Sequence, residues 1–84
     1  SYAALYGEAI VVAARETNEA RVTELVGRYT ARSSRAGRAA LGQQLRQAEQ
    51  AISVRIAEQS KDEIERNKTV ARTLANARKQ LAER

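Results

Sequence analysis

The chain has 84 residues, 15 Lys and Arg against 10 Asp and Glu, and neither His, Cys, Met, Trp, Phe nor Pro. One domain at most fits this length, and its core is marginal, because short chains bury a smaller share of their surface. Without His or Cys the chain can build no Ser-His-Asp triad, cysteine nucleophile, disulfide or zinc finger. No cofactor or catalytic role is expected.

The core material is thin. The sequence holds 6 Leu, 4 Ile, 6 Val and 3 Tyr, and its other 17 hydrophobic residues are Ala. A buried Leu or Ile contributes about 1.5–3 kcal/mol, and an Ala far less. Small scaffolds with this deficit are completed by disulfides, a metal or a partner chain. The first two are closed here, so the composition predicts an oligomer, or a piece that folds against another protein. The longest apolar run, Ala9 to Ala14, is six residues, far short of the ~18 of a membrane span. No signal-peptide pattern is visible, and the compartment, cytoplasmic or secreted, is left open.

Helix formers dominate throughout. The expected architecture is all-α: a helix–turn–helix hairpin, coiled-coil-like and oligomeric, forming a single domain over 1–84. Helix 1 is expected over about 2–26. Tyr2, Tyr6, Ile10, Ala13, Thr17 and Ala20 share one stripe of it, with Leu5, Ala9 and Val12 beside them. Gly27 suits the residue that closes such a helix. A basic connection over about 27–34 follows, in which Ser33 and Ser34 are candidate N-caps.

Helix 2 is expected over about 35–82. Its stripe runs Leu41, Leu45, Ala48, Ile52, Ile56, Ser60 and Ile64, then Asn67, Ala71, Leu74, Arg78 and Leu81. Consecutive steps of four drift around a helix, as a stutter does. Ser60-Lys61-Asp62-Glu63 matches a capping box and marks an alternative helix start. Opposite charges at Arg55/Glu58, Glu58/Lys61, Lys61/Glu65 and Asp62/Arg66 span that junction, and the continuous rod is preferred. Asn67 and Arg78 are candidate register-setting positions.

Charge is uneven. Residues 1–26 carry −2, residues 27–42 carry +4 and residues 43–84 carry +3. Arg28, Arg32, Arg35 and Arg38 fall within about a third of the circumference if the connection is helical. Such a strip suits phosphates. It equally suits a solvated turn, or an acidic face such as Glu16, Glu19 and Glu24 on a neighbouring copy. Gly37 to Gln44 has P-loop spacing but lacks the Lys that the phosphate site needs, and no strand precedes it. Glu58, Asp62, Glu63 and Glu65 interleave with Lys61, Arg66 and Lys68, which reads as a solvated face rather than a metal site. Leu41 to Arg46 is similar to the opening helix of phage-repressor-like helix-turn-helix domains, but Ala48 to Glu58 reads as unbroken helix where a turn is required.

The leading expectation is a non-catalytic assembly subunit that packs on copies of itself or on another helical protein. Tyr2, Tyr6, Ile10, Leu45, Ile52, Ile56, Ile64, Leu74 and Leu81 are its candidate interface residues. A filament subunit is one specific form, and in size and layout the chain is similar to secreted needle-type filament subunits. The alternative is a nucleic-acid-associated protein that lays Arg28, Arg32, Arg35 and Arg38 on the phosphate backbone. A membrane-surface role for helix 1 ranks third, because its polar face is acidic.

Overall fold

A computed structural model describes residues 2–54 and 60–83. It contains four helices and, among the described residues, no strand: α1 Tyr2–Arg15, α2 Glu19–Arg32, α3 Arg35–Val54 and α4 Lys61–Ala82. Each of the two expected helices is therefore divided. Ile56 and Glu58 lie outside the described residues.

The first break falls inside the expected helix 1. Asn18 N–H donates to the Ala13 carbonyl at 2.9 Å and Thr17 N–H to the Ala14 carbonyl at 3.0 Å. This pair of bonds is the Schellman closure of a helix. It requires a left-handed residue, and Thr17 supplies it at φ 57°. Asn18 then caps α2, its side-chain oxygen accepting from Arg21 N–H at 3.0 Å.

The expected connection at 27–34 shrinks to Ser33 and Ser34. Gly27 does not close a helix: it lies inside α2, exposed, with no positive φ. Val22, Leu25, Val26 and Tyr29 are all buried, and that i, i+3, i+4, i+7 face carries the helix through the glycine. Ser34 starts α3, its Oγ accepting from Gly37 N–H at 3.1 Å.

The second break replaces the preferred rod. A continuous helix over 35–82 would be about 72 Å long, whereas the molecule measures 40 Å along its longest axis. Ser60 caps α4, its Oγ accepting from Glu63 N–H at 3.3 Å and donating to Glu63 Oε1 at 3.1 Å. Asp62 and Glu63 place negative charge in the first turn, where the helix dipole favours it. The start of α3 (Arg35, Arg38, Ala39) shares a groove with the end of α4 (Leu81, Ala82).

Helices α1 and α4 each pack against the other three. Ile10, Leu41, Leu45, Leu74 and Val70 are the largest fully buried side chains. Of the four glycines Gly7 has the tightest surroundings: an added Cβ would lie 3.1 Å from Gln44 Cβ on α3.

Three substitutions test this local account by urea denaturation. Thr17→Gly removes the left-handed penalty and should raise stability by about 0.5–1 kcal/mol. Gly27→Ala, with nothing within 4 Å of the added Cβ, should also raise it by about 0.5–1 kcal/mol. Gly7→Ala gains the same propensity but must push α1 off α3, and should show no gain or a loss.

Candidate functional site

The basic residues gather where α2 hands over to α3. Residues 25–48 hold Arg28, Arg32, Arg35, Arg38 and Arg46 and no acid. Elsewhere ten basic residues are matched by ten acids, so the whole net charge of +5 resides in this segment.

The turn at Ser33–Ser34 splits the expected strip between two helices and two grooves. Arg28 and Arg32 lie on α2, in a groove of about 380 Å³ with Tyr2, Tyr6, Tyr29, Ser33 and Ser34. Arg35 and Arg38 lie on α3, in a groove of about 690 Å³ that also presents Arg46 and Arg78. Its lining includes Ala39, Gly42, Gln43, Leu81 and Ala82 and no acid. Gly42 leaves space on its floor, since a Cβ there would meet nothing within 4 Å.

A hydrogen-bonded frame holds the corner. The Tyr29 hydroxyl donates to the Gly37 carbonyl at 2.6 Å, tying α2 to the first turn of α3. Its ring packs against Tyr6 of α1, centroids 5.2 Å apart and planes tilted by 57°, a favoured aromatic geometry. Arg38 Nη1 donates to the Ser33 carbonyl at 3.0 Å, which gives the end of α2 a cationic cap. Ser33 Oγ is buried and has no hydrogen-bond partner among the described residues. Leaving such a hydroxyl unpaired costs about 1–3 kcal/mol.

Arg78 behaves differently from the other arginines. It forms a two-pronged ion pair with Glu49 across the α3–α4 seam, Nε to Oε2 and Nη2 to Oε1, the latter at 3.0 Å. The Arg78 side chain is 29% exposed and that of Glu49 17%. The hydrogen bond to Glu49, more than their Coulomb attraction, holds the guanidinium more firmly protonated than usual. Arg78, expected as a register-setting position, thus clips two helices of the same chain. Arg28 lies 3.8 Å from Glu24, a solvent-exposed pair that leaves the guanidinium largely available.

The candidate interface residues divide by burial. Ile10, Leu45, Ile52, Leu74 and Leu81 lie in the intramolecular core, Tyr6 and Ile64 are half-buried, and Tyr2 is 78% exposed. Among the described residues the other exposed large apolar side chains are Leu5 and Val12, both on α1. Sequence reasoning placed those two beside the stripe and did not select them. It also missed Arg46, for which the acid-free run from Leu25 to Ala48 is the available signal. No group of acids able to hold a metal ion occurs among the described residues. No helix among them is long and apolar enough to cross a membrane.

No protein-family model, curated protein or solved structure matches the chain.

Glu49→Gln should lower stability by about 1–3 kcal/mol, because Arg78 then loses its carboxylate in a half-buried position. The exposed Glu65–Lys68 pair, 3.9 Å apart, serves as the control. Glu65→Gln should shift the urea midpoint by less than about 0.5 kcal/mol equivalent.

Proposed function

We propose that the chain is a non-catalytic helical assembly subunit that pairs with a second copy through the outer face of α1. The observation that carries this reading is the apolar character of α1 on the side its own neighbours leave open. That side exposes Tyr2, Ala4, Leu5 and Val12, together with the two charged residues of the helix, Glu8 and Arg15. Leu5 is 64% exposed and Val12 51%, and with Ala9 they form a stripe at 4- and 3-residue spacing. A helix apolar on nearly every side is ordinarily buried on every side.

Two further points favour a second copy as the occupant. The stripe is self-complementary: an antiparallel pairing centred between Glu8 and Ala9 sets Leu5 against Val12 and Glu8 against Ala9, and leaves Tyr2 and Arg15 at the rim. Equivalent patches meeting in this way make an isologous interface, with the exposed Glu8 and the half-buried Ala9 at its centre. The accessible surface is 5811 Å² for a 9.3 kDa chain, against about 5000 Å² for a compact monomer of that mass. A surface larger than the average for this mass leaves area that a second copy can cover.

Sedimentation equilibrium tests the reading. The wild-type chain is expected to be a dimer that persists in high salt, because apolar contact drives it. Val12→Glu is expected to weaken association by about a hundredfold or more while leaving helix content unchanged, since Val12 is exposed in the single chain. A monomeric wild type, or a Val12→Glu protein that still dimerises, overturns the proposal.

A further inference from the structure

The basic corner meets the α1 face just described only at Tyr2, at the rim of that pairing, and it carries a second proposal. We infer that the α2–α3 corner binds single-stranded nucleic acid, with phosphates along the arginines and a base stacked on Tyr2. Three observations on separate residues converge there.

First, the groove beside α3 is a track rather than a point. Arg35, Arg38 and Arg46 follow one side of the helix at spacings of three and eight residues. From Arg35 to Arg46 they span about 16 Å, too long for one phosphate and suited to several in succession. The small residues Ala39 and Gly42 keep the floor open between them. Arg78 at the far wall is already neutralised by Glu49, so the uncompensated charge belongs to the α3 arginines.

Second, the adjoining groove combines charge with an aromatic surface. Arg28 and Arg32 share it with Tyr2, whose ring is largely exposed. A positively charged track beside an exposed aromatic is the arrangement that holds unpaired strands, because every base offers a face to stack on. Duplex bases are stacked on one another and cannot use it.

Third, the Ser33 hydroxyl in this groove is buried and lacks a partner among the described residues. The Oγ is sealed from solvent in the free chain, so a phosphate oxygen could accept its proton only once the turn opens.

The test is fluorescence anisotropy with a labelled single-stranded oligothymidine and with a duplex of equal length, over a range of salt. The single strand is expected to bind more tightly, with log affinity falling against log salt at a slope of about −3 for four phosphates. Arg35→Ala with Arg46→Ala should reduce that slope by about 1.4. Tyr2→Ala should weaken single-strand binding by about tenfold with the slope unchanged, and Tyr2→Phe should restore it. All of these side chains are exposed, and circular dichroism checks that the variants stay folded. Duplex binding equal to or tighter than single-strand binding overturns the inference, as does indifference to Tyr2→Ala. Wild-type protein that ignores both oligonucleotides at low salt overturns it as well.

Discussion

At Gly7 the backbone of α1 comes so near α3 that one added carbon would sit 3.1 Å from Gln44 Cβ. That approach lets Ile10, Ala13 and Ala14 reach the core, all at 3% exposure or less. Close packing of small residues compensates for a shortage of large ones, because dispersion contacts accumulate over every atom that touches. The same choice has a geometric consequence. A slim helix packed against three neighbours has one side left, and on α1 that side carries Leu5 and Val12. The thin core and the open apolar face are two results of one constraint.

The electrostatics are organised around the corners rather than the helix faces. Asn18 and Ser60 close the helix starts, each with an acid in the first turn. The α2–α3 corner lacks acids altogether and joins its helices through Tyr29, Arg38 and Ser34 instead. Positive charge that is matched in number by acids in the rest of the chain is in excess there. It faces two grooves, one with tyrosines and one without. The Glu49–Arg78 pair lies beside the second groove and fixes its width by holding α3 against α4.

The all-helical class was legible from composition, and so was much of the core: Ile10, Leu45, Ile52, Leu74 and Leu81 were all on the stripes read from the sequence. What those stripes lacked was a direction. A helical period shows that a face is apolar, not whether it meets the chain itself or a partner. The helix ends failed for more specific reasons. Thr17 is β-branched and an unusual left-handed residue, so the true stop was hidden while Gly27 looked like one. The signal at Ser60 was visible, but the charge pairs spanning the junction argued for continuity. Short-range pairs contribute only about 0.2–0.5 kcal/mol each, and folding α4 back to bury Val70, Leu74, Ala77 and Leu81 outweighs them. Arg46 escaped notice because grooves are a property of two helices, and only its alignment with Arg35 and Arg38 beside α4 shows its place.

If the chain completes its fold with a second copy, as proposed, stability and association are coupled. Urea unfolding followed over roughly a hundredfold range of protein concentration measures that coupling directly. Mass action predicts that the midpoint rises with concentration, by the equivalent of about 2.7 kcal/mol over that range. A midpoint that does not move with concentration would show that the four helices are sufficient alone, and would contradict the claim.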